Sequence, residues 1–125
     1  MPDAYRIDVN VSPEYLPEKS APNVAQYLFA YHITITNVGS VAAQLVSRHW
    51  LITDANEQVE EVKGEGVVGK QPWLSPGDSF EYSSFCILDT SVGTMQGSYQ
   101  MAAEDGTTFE VKIPEFMLAV PGALH

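Results

Sequence analysis

Between Gln26 and Val38 the large apolar side chains fall on every second residue, and no other feature of the chain constrains its fold as tightly. Tyr27, Phe29, Tyr31, Ile33 and Ile35 hold one parity; the smaller or polar Ala30, His32, Thr34 and Thr36 hold the other. A two-residue period lines the first set along one face of a pleated strand, whereas a helix would scatter it around its axis. The segment is therefore a strand with one dry face and one wet face.

The same period recurs along the chain. Tyr5, Ile7, Val9 and Val11 alternate with polar residues from about Tyr5 to Ser12, and Glu14 to Asn23, with Pro17 and Pro22, reads as a loop. A turn over Asn37 to Ser40 leads to a strand from about Ala42 to Thr53, and Asp54, Ala55 and Asn56 make a tight connection. Gln58 to Lys63 reads as a short charged strand, and charge of that density protects a sheet edge from pairing with other molecules. Ser79 to Leu88 follows, with Phe80, Tyr82, Cys86 and Leu88 in phase, so Cys86 is expected to point inward. Met95, Gly97, Tyr99 and Met101 form another face, and Asp105-Gly106 has the residue types of a tight hairpin turn. Phe109, Val111 and Ile113 then alternate up to Pro114, which ends or bends the strand before Phe116 and Leu118. With no long segment of helical period, the reading is an all-β sandwich of about seven antiparallel strands in two sheets. No repeat or linker divides the 125 residues, so one domain spanning 1–125 is expected.

The formal charge of -10, from 16 acidic and 6 basic side chains, repels phosphate backbones and anionic headgroups, which argues against nucleic acid and membrane surfaces as partners. A lone cysteine, Cys86, permits no internal disulfide. Neither an apolar leader nor a stretch of about 20 apolar residues is present. Together these point to the cytoplasm.

The stretch Gly64 to Phe80, G-E-G-V-V-G-K-Q-P-W-L-S-P-G-D-S-F, closely resembles the ApaG family, also called CorD. R-H-W-L-I-T-D at 48–54, M-Q-G-S-Y at 95–99, D-G at 105–106 and I-P-E-F at 113–116 extend the resemblance over nearly the whole chain. The chain departs from the pattern at Ser84-Phe85-Cys86, where S-G is expected, and at Ser91, where a proline would follow Thr90. The resemblance implies a fibronectin type III or immunoglobulin-like sandwich. It also implies an association with cobalt resistance and magnesium efflux, without defining a reaction. Related domains in eukaryotic F-box proteins and a polymerase delta interacting protein look like protein-binding modules.

Six residues of that stretch form the candidate partner or ligand loop: Gly64, Gly66, Gly69, Lys70, Gln71 and Trp73. The glycines satisfy G-x-G-x-x-G, but a dinucleotide site needs a helix directly after them, and Pro72 and Pro76 follow too soon. A glycine-rich connection between strands is the preferred reading. An exposed tryptophan there would anchor a partner, yet large aromatic residues are usually buried, so Trp73 is expected to plug the core. Glu57, Glu60, Glu61 and Glu65 read as a solvated edge rather than a cation site, because a strand sends alternate side chains to opposite faces. His32 should meet solvent, the facing of His49 is left open by the pattern, and neither these nor His125 has metal-ligand spacing. No catalytic constellation and no cofactor motif emerges. The expected function is a non-enzymatic protein-interaction module with a protein partner. The alternative is a sensor of a nucleotide, pyrophosphate or divalent cation.

Overall fold

The computed structural model describes residues 3–123, so His125 lies outside the described residues. The strands are β1 (Ile7–Tyr15), β2 (Tyr27–Asn37), β3 (Ala43–Asp54), β4 (Val59–Glu65), β5 (Trp73–Leu74), β6 (Ser79–Leu88), β7 (Val92–Ala103) and β8 (Thr108–Ala119). One sheet has the order β1-β2-β6; the other has β4-β3-β7-β8, with the two-residue β5 also paired to β3. Every pairing is antiparallel. Setting β5 aside, seven strands in two sheets remain, as the alternation predicted, and the structure divides them three and four.

The expected inner faces are the inner faces. Phe29, Ile33 and Ile35 of β2 meet Leu45, Met95, Tyr99, Met101, Ile113 and Leu118 of the larger sheet in a closed interior. Each such side chain, fully buried, contributes roughly 1.5–3 kcal/mol. Trp50 packs edge-on against Tyr31 and Phe116, with ring centroids 5.6 Å and 5.9 Å away. Cys86 is buried as expected, and desolvation pushes its thiol up to about 11, which keeps it protonated at neutral pH.

Several boundaries move. Tyr5 precedes the first strand in a 3-10 turn over Asp3–Tyr5, while Glu14 and Tyr15, assigned to a loop, continue β1 opposite Ala30 and Phe29. Pro13 stands within β1, which has a neighbour on one side only, so its missing N–H breaks no ladder there. Pro114 bends β8 without ending it: Gln96 alone faces Pro114 and Glu115, a bulge after which pairing resumes at Met95 and Phe116. Ser84-Phe85-Cys86 lies inside continuous β6, and Thr90, in the following turn, accepts from the Ala55 amide at 3.0 Å and donates to the Val92 carbonyl at 2.7 Å.

The two sheets are also joined by a polar contact at the centre. Tyr82 of β6 and Tyr99 of β7 share a hydroxyl hydrogen bond in the buried interior, and burial raises both phenols well above their ordinary range. Tyr82→Phe leaves the Tyr99 hydroxyl buried without this partner and is expected to cost about 1–2 kcal/mol in urea unfolding. The double variant Tyr82→Phe/Tyr99→Phe, which removes both polar groups, should lose less than the sum of the single losses.

Candidate partner-binding loop

The loop between β4 and β6 is organised by an irregularity in β3. Between Leu45 and Ser47 the register against β7 slips by one residue, leaving Val46 as a bulge. The Val46 carbonyl accepts from the Gly66 amide at 2.9 Å and from Gln71 Nε2 at 2.9 Å, while the Leu45 amide donates to the Pro72 carbonyl at 3.0 Å. Gln44 Nε2 adds a bond to the Gln71 carbonyl at 3.1 Å.

A second clamp comes from Arg48. It stands opposite Tyr99 and Gly64, on the inner side of the sheet, and its Nη1 donates to the Glu65 and Gly66 carbonyls at 3.1 Å and 2.8 Å. A side chain at Gly64 would collide with that guanidinium. Its charge also offsets part of the rise that burial imposes on Tyr31, Tyr82 and Tyr99.

Within this frame the six predicted residues separate into two groups. Gly64 and Gly66 belong to the clamp, and Gly66, at φ 62, runs against the Lys70 carbonyl. Val67 and Lys70 bond each other in both directions, at 2.8 Å and 2.9 Å, around a two-residue turn formed by Val68 and Gly69. Gly69, Lys70 and Gln71 are exposed. Trp73 corrects the expectation: it is 55% exposed on β5, opposite Gln44, and the inward place is taken by its neighbour Leu74. The reason is parity, since in a strand two residues long only one side chain can face the core.

Val68 is 55% exposed as well, at φ 44. Branching at Cβ makes this left-handed conformation costly, and the hairpin geometry favours asparagine or glycine there. Val68→Asn is expected to stabilise the fold by about 1 kcal/mol, read as a rise in the urea midpoint at unchanged slope.

The remaining candidates do not join the loop into a chemical site. His32 is exposed and bonds Ser83 at 2.8 Å and Glu81 at 3.0 Å. His49, on the outer face of β3, bonds Glu61 at 2.7 Å, and this bond, more than any other influence, holds the Glu61 carboxyl below its ordinary value. β4 is an edge strand, as its charge suggested. Among the described residues no three His, Cys, Asp or Glu side chains are grouped to hold a metal ion, and no helix is long and apolar enough to cross a membrane.

Asn37 escaped the sequence reading. It is completely buried, donating from Nδ2 to the Val41 carbonyl at 3.0 Å and the Leu74 carbonyl at 2.9 Å and accepting from the Gly39 amide at 2.9 Å. It ties β5, and with it Trp73, to the end of β2. Its only sequence signal was its residue type at the start of a turn, which is too common to mark it.

The fold defines a fibronectin type III-like β-sandwich whose β4–β6 loop is hydrogen-bonded to β3 and leaves Val68, Lys70, Gln71 and Trp73 exposed. The ApaG domain family (DUF525) matches residues 17–103, and the chain belongs to that family. It is 62% identical over 121 residues to Protein ApaG of Dechloromonas aromatica (strain RCB), covering 97% of this chain and 95% of that one. The match to Protein ApaG of Thiobacillus denitrificans (strain ATCC 25259 / T1) has the same identity and coverage. The crystal structure of the putative ApaA protein from Bordetella pertussis superimposes with a TM-score of 0.94 at 53% identity, over 98% of this chain and 100% of that one.

Proposed function

We propose that the protein is a non-enzymatic interaction module of the cytoplasm that grips a protein partner with the Val68 to Trp73 loop. The observation that carries this reading is Trp73: a large aromatic side chain, more than half exposed, on backbone held by β3, Gln71 and Asn37. Exposed tryptophan on a preordered backbone is the usual anchor of a binding surface, because little conformational freedom is lost on docking. The family's association with cobalt resistance and magnesium efflux is then exercised through that partner rather than by holding the cation. The nucleotide alternative has weaker support. The Gly66, Val67 and Lys70 amides, which a phosphate would need, are already bonded within the protein.

Trp73→Ala is expected to reduce recovery of a crosslinked partner from cell extract by at least about tenfold while leaving stability within roughly 1 kcal/mol. Equal recovery by the two proteins would sink the reading. A saturable amide shift at Gly66–Lys70 with pyrophosphate would favour the alternative.

A further inference from the structure

The sandwich has four strand edges, and three are guarded. β1 carries Asp8, Pro13 and Glu14; β4 carries Glu60, Glu61, Lys63 and Glu65; β8 carries charges and is bent at the Pro114 bulge. Charge, proline and bulges are the devices that keep an edge from acquiring another strand. The second half of β6, Ser83 to Leu88, has none of them: it reads S-S-F-C-I-L, and among the described residues no strand pairs with its free side. Its outward side chains, Phe85 and Ile87, are 58% and 62% exposed and stand beside Ala30 and Leu28 of β2.

The surroundings of this edge are acidic. A groove beside its end is lined by Ile52, Val59 and Ile87 together with Asp54, Glu60 and Asp89, and no basic side chain lines it. On the outer face Lys19 lies over the Phe85 ring, with Nζ 5.7 Å from the centroid. A second copy of this chain pairing through β6 would bring two acidic rims together between molecules of charge -10, which disfavours it.

We infer that the free edge of β6 receives an extended segment of a different protein, in which apolar residues alternate with lysine or arginine. Backbone hydrogen bonds extend the three-stranded sheet by one strand. The segment's apolar side chains cover Phe85 and Ile87, and its cations face Asp54, Glu60 and Asp89. This deepens the interaction-module reading but does not depend on Trp73, which pairs at the opposite end of β3 from the groove.

The test is an amide-shift titration of the full chain with a peptide of alternating lysine and valine about ten residues long, the length of β6. Saturable shifts are expected at 83–88 and at Val59 and Glu60. Phe85→Lys/Ile87→Lys, which alters only exposed positions, should weaken binding at least about tenfold, and Trp73→Ala should leave it unchanged. N-methylation of the peptide along its pairing edge should abolish binding. The inference is overturned if no saturable shift appears, if the shifts fall on 64–73, or if the N-methylated peptide or a glutamate-valine peptide binds equally well. It is also overturned if sedimentation shows a wild-type dimer that the double variant loses. A Trp73→Ala protein that keeps the peptide but loses no cellular partner defeats the loop reading alone.

Discussion

Gly97→Ala is expected to destabilise the protein by about 3 kcal/mol, among the larger effects available to a single methyl group. Gly97 lies in β7 opposite Trp50, and a Cβ there would overlap the carbonyl oxygen of His49, with the His49 carbonyl carbon and Trp50 Cα both at 3.1 Å. All three atoms are β3 backbone, so no rotamer change relieves the clash, and only separation of the two central strands of the larger sheet would. The dihedral angles are not the cause, since Gly97 is absent from the glycines of positive φ. Gly106 provides the contrast. It sits at φ 88 with open space around its missing Cβ, so Gly106→Ala should cost only about 1 kcal/mol, the penalty of a left-handed alanine. Urea unfolding of the two variants separates the mechanisms, and similar losses would refute the steric account of Gly97.

Asn37→Leu is expected to cost about 3 kcal/mol, because a side chain of similar size replaces a completely buried amide that satisfies three backbone groups, one buried and two half-buried. The loss should be local as well as global. Hydrogen exchange at Leu45, whose amide bonds Pro72, should accelerate as β5 loosens. Asn37→Asp adds a pH signature. Desolvation raises the folded-state pKa of a buried carboxyl above its unfolded value of about 4, so the penalty grows as pH rises through the unfolded value and eases in acid. The gap to wild type in urea midpoint should therefore be wider at neutral pH than near pH 4; a constant gap would mean that residue 37 does not remain buried as an aspartate.

The strands were legible because their alternation is nearly unbroken. β2, β6 and β7 each present one apolar parity, and two packed sheets are the ordinary way to bury several such faces. The Asp105-Gly106 hairpin was legible for the same local reason: the Ala103 amide bonds the Thr107 carbonyl at 2.7 Å across the expected turn. Trp73 was not. Burial statistics describe residue types, whereas its exposure follows from a two-residue strand in which Leu74 had already taken the core. The facing of His49 was left open because β3 changes parity at Val46, a change no local residue type announces. Arg48 was visible in the sequence, but its role depends on partners at Glu65 and Gly66 that only the folded sheet brings within reach.

That change of parity makes β3 two phrases read in opposite senses: Ala43 and Leu45 look inward on odd numbers, Trp50 and Ile52 on even ones. Deleting Val46 would join the two halves into one parity that a single alignment with β7 could bury throughout, but it would remove the carbonyl that accepts from Gly66 and Gln71. The extra residue thus serves the loop rather than the interior: the length of the strand at this point answers to what the loop must hold on to, and its apolar spelling to what the interior must fill.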